Sequence, residues 1–126
     1  MATAGMPVET HGDLVLYLAD ATGPQLCSEA DALDLLGETY GTGAAVIVVP
    51  VERLAPEFFD LSTRLAGHFF QKLQNYRMRL VVLGDIVAAL EKSRALRDFV
   101  TETNRVGQHL FVPDRAALLA SLRGRA

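Results

Sequence analysis

The chain has 126 residues, half of them apolar and 21% charged, which suits one domain with a buried core and not a disordered chain. Twelve basic against fifteen acidic residues give a net charge of −3, so no basic excess points to nucleic acid, and no apolar run reaches the roughly 20 residues that span a bilayer. One cysteine, Cys27, rules out an internal disulfide and a cysteine-rich zinc site, and the N-terminus lacks the basic and apolar regions of a secretory signal.

Residues 1–6 read as a frayed terminus, and the expectation is a cytoplasmic protein with no cofactor. Val8-Glu9-Thr10 and Leu14 to Leu18 read as a hairpin closed by His11-Gly12-Asp13. Asp20 to Gln25, with Gly23-Pro24, is a loop. Ser28 then caps a short helix whose apolar side is Ala32, Leu33, Leu35 and Leu36, fading by Gly37 to Gly43. Ala44 to Val49, β-branched and bounded by Gly43 and Pro50, is the clearest strand.

From Pro56 the spacing of Phe58, Leu61, Leu65, Phe69, Leu73 and Tyr76 predicts one long amphipathic helix. The alternative is a single turn, PEFF, ahead of a helix capped by Asp60. Leu80 to Leu83, closed by Gly84-Asp85, has the continuous apolar run of a strand covered on both faces. Asp85 to Lys92 is ambiguous. Ser93 caps a helix over Arg94–Asn104 with Leu96, Phe99 and Val100 inward, and Gly107 ends it. Leu110-Phe111-Val112 is a last strand stopped by Pro113, and Asp114 caps a terminal helix carrying Ala117, Leu118 and Leu122. The order β-β-α-β-α-β-α-β-α implies an α/β fold: a mixed, mostly parallel sheet with right-handed crossovers and one antiparallel strand from the first hairpin.

That order resembles the STAS fold of sulfate transporters and anti-sigma-factor antagonists. The stretch FFDLSTRLAGHFFQKL followed by RLVVLG is similar to the STAS segment in which an Asp-Ser-Ser-Gly motif opens a helix. The resemblance matches Asp60 to the motif's aspartate and Ser62 to its phosphorylatable serine. Thr63 stands where the motif has glycine, and Pro50 to Phe59 intervene between strand and motif. FFDLSTRLAG, LQNYRMRLVVLGD, SRALRDFVTETNR and LFVPDRAALLASL together resemble a bacterial family known as domain of unknown function 4180, across nearly the whole chain.

Open α/β sheets bind ligands outside the carboxyl ends of their parallel strands. Those ends lead to Glu52, Arg53, Asp85 and Asp114, and the following helix starts add Asp60, Ser62, Thr63, Ser93 and Arg97. Glu52, Asp60, Asp85, Ser93 and Arg97 could converge on a polar pocket. The simpler alternative makes Asp60, Ser93 and Asp114 helix caps and pairs Arg97 with an acid. His11, His68 and His109 have no metal-ligand spacing, Cys27 has no base nearby, and Gly41-Thr42-Gly43 precedes a strand where a phosphate loop would follow one. Gly67, inside a helix, points to close packing of another element, such as a partner helix.

The expected function is a non-enzymatic module that binds a protein partner or small ligand under phosphorylation control at Ser62. Its contact surface would be Ser62, Arg64, His68, Gln71, Lys72 and Asn75, and the apolar content is compatible with a homodimer. A small enzyme using Asp60 or Asp85 as acid–base group and Arg97 as anion holder is the alternative. A purely structural role in an operon-encoded complex is a third.

Overall fold

In the computed structural model, which describes residues 8–123, five strands form one sheet whose spatial order follows the chain. Strands β1 (Val8–His11) and β2 (Leu14–Leu18) form the antiparallel hairpin. Its two-residue turn is Gly12-Asp13, with Gly12 at φ +62°, a left-handed conformation that glycine adopts without a Cβ penalty. Strands β3 (Val46–Pro50), β4 (Arg79–Leu83) and β5 (Leu110–Val112) follow in parallel. The helices are α1 (Glu29–Glu38), α2 (Leu65–Asn75), α3 (Val87–Lys92), α4 (Arg94–Val106) and α5 (Arg115–Arg123). The expectation for residues 1–6 falls outside the described residues. No helix among the described residues is long and apolar enough to cross a membrane.

Sequential strand order has a consequence for the layers. Right-handed crossovers that all step the same way lay their helices on one face. On that face Tyr17, Ile47, Val49, Leu80, Val82 and Phe111 pack against Ala32 and Leu35 of α1 and Phe69, Phe70 and Leu73 of α2, with Phe99 and Val100 of α4 at the margin. The alternate residues Leu16, Val46, Val48, Val81, Leu110 and Val112 face the other way, under Leu118, Ala117 and Leu122 of α5. Strands β3 and β4 are therefore buried on both sides, which is why they read as unbroken apolar runs.

Two edge features lock this sheet. Phe111 turns its N–H and C=O away from β4, and the side chain of Asn104 in α4 takes both. Asn104 Oδ1 accepts from the Phe111 N–H at 2.8 Å, and its Nδ2 donates to the Phe111 carbonyl at 3.1 Å. The amide group thus stands in for a sixth strand and closes the β5 edge. Gly84, ending β4, donates its N–H to the Val112 carbonyl at 2.9 Å. A Cβ on Gly84 would lie 2.8 Å from Val51 Cγ2, and φ is +145°.

The long helix expected from Pro56 is shorter than its apolar spacing suggests. Residues 56–59 and 61–63 form two 3₁₀ turns, and α2 begins only at Leu65, after Arg64 at φ +63°. Side chains cause the interruption. Asp60 Oδ1 accepts from the Ser62 N–H at 3.0 Å, and Thr63 Oγ1 donates to the carbonyls of Glu57 and Asp60, both at 2.8 Å. Such local bonds compete with the helical ladder. Asp60 does cap a turn, but a 3₁₀ turn and not the helix. Phe58 still reaches the core, edge-on to Phe69 and Phe70 at 5.8 Å. Tyr76 lies beyond the end of α2 and is 60% exposed, and Leu33, expected inward on α1, is 44% exposed. The ambiguous segment after β4 contains the short helix α3, which makes two helices between β4 and β5 where one was expected.

Candidate functional site

Arg53 is the polar residue at the strand ends that the fold buries, to 9% exposure. It follows β3, and its Nε donates to the Pro24 carbonyl at 2.9 Å while Nη1 donates to the Asp20 carbonyl at 2.8 Å. The guanidinium lies against Gly23, within 3.5 Å of where a Cβ would stand. Arg53 thereby clamps the loop after β2, and backbone bonds between Leu26 and both Arg53 and Ala55 sew that loop to the sheet. Glu52, beside it, is exposed.

A cleft of about 170 Å³ lies between this loop and α1, lined in part by Gln25, Asp31, Asp34, Glu38 and Arg53. Most of its charged groups serve the framework. Asp31 Oδ2 accepts from the Cys27 N–H at 2.7 Å, and that bond holds the Asp31 carboxyl below its usual range. Glu38 accepts from the Tyr17 hydroxyl at 2.7 Å; burial first, and then this bond, push Tyr17 up to about 12. Desolvation and the Asp31 carboxylate raise the Cys27 thiol, the opposite of an activated nucleophile.

The other strand-end residues hold local partners. Ser62 Oγ donates to Asp60 Oδ1 at 2.6 Å, and this bond, with the Ser62 N–H, lowers the Asp60 carboxyl. Ser62 is exposed within its 3₁₀ turn, three residues ahead of α2, with Thr63 bonded to the turn's carbonyls. Asp85 accepts from the Val87 N–H at 2.9 Å. Ser93 accepts from the Leu96 N–H at 3.0 Å as the cap of α4, and Arg97 Nη1 donates to the Leu90 carbonyl at 2.7 Å, tying α4 to α3. Asp114 accepts from the Ala117 N–H at 2.8 Å. Asp60, Ser62 and Thr63 are thus brought together, and Ser93 and Arg97 share a corner. Among the candidates, Arg53 alone belongs to the lining of the cleft.

The histidines divide. His11 bonds Glu9 at 2.8 Å, and Glu9 also receives Arg115 of α5; the Arg115 bond is the larger cause holding Glu9 below the usual carboxylate range. His68 lies 3.8 Å from Glu29. His109, just ahead of β5, is 6% exposed and stacks on Phe70 at 4.8 Å. Among the described residues no three potential ligands group as a metal site.

The outer face of α2 adjoins that of α1. Ser62, Arg64, His68, Gln71 and Asn75 are exposed, while Lys72 is half-buried and 3.7 Å from Glu29 of α1. Helix α1 adds an outward row, Ala30, Leu33, Gly37 and, just past its end, Tyr40, which is 92% exposed. Heptad-like spacing puts these four on one side of the helix. A Cβ on Gly37 or Gly67 would meet no atom within 4 Å, so among the described residues no element uses the space that Gly67 leaves.

Charge divides along the same line. Helix α1 carries Glu29, Asp31, Asp34 and Glu38 and no base, while residues 61–84, which include α2, carry Arg64, Lys72, Arg77 and Arg79 and no acid. Ten of the fifteen acids but one of the twelve bases lie in residues 1–63. Because strand order follows chain order, this asymmetry along the chain becomes an asymmetry across the molecule. The signal was available in the sequence, by counting charge in each half.

The family model described as Domain of unknown function (DUF4180) matches residues 12–122. No curated protein and no solved structure matches the chain.

Proposed function

This chain belongs to the DUF4180 family, and from that premise we propose that it is a non-enzymatic binding module for a protein partner, working through the face formed by α1 and α2. The observation that carries the reading is the outward row on α1, with Leu33 44% and Tyr40 92% exposed, beside an α2 face without a single acid. Exposed apolar and aromatic side chains grouped on one face, rimmed by charge, are the composition of an interaction surface. The strand-end polar groups, by contrast, spend their hydrogen bonds on caps and on the clamp around the Asp20–Gln25 loop. A STAS-like frame agrees with this reading through the element order and the contact between Asp60 and Ser62.

Control by phosphorylation at Ser62 belongs to the same reading. The hydroxyl is exposed at the margin of the face, two positions from Arg64, and a phosphate there would change the charge of the surface where the partner sits. Mass spectrometry of protein isolated from its host should find phosphate on Ser62; its absence in every growth condition removes this control.

The surface itself is tested by placing a photo-crosslinking amino acid at position 40 and, as a control, at position 101 on the exposed side of α4. A discrete protein adduct from position 40 and none from position 101 is expected in host cells. No adduct from position 40 under any growth condition overturns the reading.

A further inference from the structure

We propose that the cleft between α1 and the loop of residues 20–25 binds a small zwitterion, a molecule of amino-acid size that carries an ammonium group and a carboxylate. The inference does not rest on the α1–α2 face, because the cleft runs along the other flank of α1. Glu29 reaches toward His68 and Lys72 of α2, whereas Asp31, Asp34, Leu35 and Glu38 line the cleft on the loop side.

Arg53 supplies the cationic wall. It is 9% exposed, and its Nε and Nη1 are spent on the carbonyls of Pro24 and Asp20. Those carbonyls accept its protons but do not neutralise its charge. Among the described residues no carboxylate lies within 4.0 Å of the guanidinium, and Nη2 has no partner. A guanidinium taken so far out of water is ordinarily paired with an anion, and no described residue supplies one. A carboxylate on a ligand in the cleft would.

Helix α1 supplies the anionic wall. Asp34 and Glu38 are four residues apart, so their side chains are neighbours on one side of the helix. Asp34 makes no hydrogen bond or ion pair among the described residues, and Glu38 commits only Oε1, to the Tyr17 hydroxyl. The oxygens left over suit an ammonium group, whose protons can reach both carboxylates. The two walls do not bond each other across the cleft, so a ligand with both charges completes each of them at once. A simple anion would meet the carboxylates and a simple cation would meet Arg53, each at a cost in repulsion. A metal ion fits poorly, because among the described residues no three potential ligands gather here.

Size and stiffness narrow the class. At about 170 Å³ the cleft is smaller than the ~300 Å³ at which drug-sized pockets begin, which limits the ligand to the smaller amino acids and their like. Its walls are fixed before anything binds. Arg53 holds the loop by two carbonyls, and the Cys27 N–H donates to Asp31 at 2.7 Å, joining the end of the loop to α1. A site built this way gives up little freedom on binding.

Amide spectra of the isotope-labelled full chain test the site, with glycine, alanine, serine, proline and γ-aminobutyrate each added to on the order of 10 mM. At least one of these zwitterions should shift the Arg53 Nε–H and the amides of Gln25, Leu26 and Glu38. It should do so at a concentration about tenfold below that needed with acetate or ethylamine, which carry one charge each. Asp34→Asn should weaken that binding about tenfold and leave the melting temperature unchanged, since Asp34 holds no bond among the described residues. Asp98→Asn, at an exposed position of α4, should bind as the wild type does. Shifts at these positions with none of the five zwitterions overturn the proposal, as does undiminished binding by Asp34→Asn. Acetate or ethylamine binding as tightly as the best zwitterion would show that one charge suffices, and overturns it too.

Discussion

Replacing His109 with asparagine probes a buried histidine that titrates near neutral pH only when the chain is unfolded. Leu80 donates its N–H to His109 Nδ1 at 3.0 Å, so in the neutral ring the proton sits on Nε2, which has no acceptor among the described residues. Protonating Nδ1 would break that bond and place a cation in the core, against the ring of Phe70. Burial, reinforced by the nearby charge of Arg79, lowers the His109 pKa from 6.5 to about 4. The unfolded chain takes up this proton near pH 6.5 and the folded chain does not until about pH 4. The unfolded state therefore binds more protons in that window, and stability that is fully present above pH 6.5 is lost as pH falls toward 4. A tenfold change in proton affinity is worth about 1.4 kcal/mol, so the loss is about 3 kcal/mol, or roughly 10 °C in melting temperature for a domain of this size. Circular-dichroism melts of wild type and His109→Asn at pH 7.5, 6, 5 and 4.5 give the comparison. Asparagine can keep an acceptor for the Leu80 N–H but does not titrate. The variant should be the less stable at pH 7.5, through the lost stack, and should show the shallower decline on acidification. Carboxylates such as Glu9 and Asp31, whose pKa values are lowered, lose stability on acidification equally in both proteins and cancel. Parallel pH profiles for the two would refute the reasoning.

Two further substitutions test the framework. Asn104→Leu removes both bonds that close the β5 edge and should cost about 2 kcal/mol in urea unfolding, with increased aggregation on heating; a loss under about 0.5 kcal/mol would contradict the edge role. Arg53→Met keeps much of the apolar stem but frees the carbonyls of Asp20 and Pro24, so hydrogen exchange should accelerate at the Leu26 and Ala55 amides while the amides of β4 stay protected. Unchanged exchange at Leu26 and Ala55 would show that the clamp is dispensable.

What could be read from the sequence was mostly what is local or doubly buried. Strands β3 and β4 announce themselves because both faces are covered, and Ser28, Ser93, Gly107 and Asp114 act where expected because a cap bonds within a few residues of itself. The start of α2 escapes such reading because apolar spacing continues through Phe58 and Leu61 while Asp60, Thr63 and Arg64 break the backbone path, a competition that periodicity does not register. Leu33 and Tyr76 look like core residues by type but sit outside it. Arg53 stands out in the sequence for its place after a strand, yet its partners lie 29 and 33 residues away, across a loop that only the folded sheet brings near. Asn104 reads as an ordinary residue of a polar helix face until Phe111 turns its outward backbone to it. Asp60 and Ser62 were paired in the sequence only as motif positions, and the bond between their side chains appears in the fold.

The most direct measurement is the set of backbone amide resonances of isotope-labelled protein, assigned along the chain, before and after addition of host-cell extract. Resonances that broaden or shift should fall on α1 and α2, centred on Leu33, Gly37, Arg64, Gly67 and Gln71. Changes that cluster on α4, α5 or the β1 edge, or no change at all, would contradict the assignment of the working surface to these two helices.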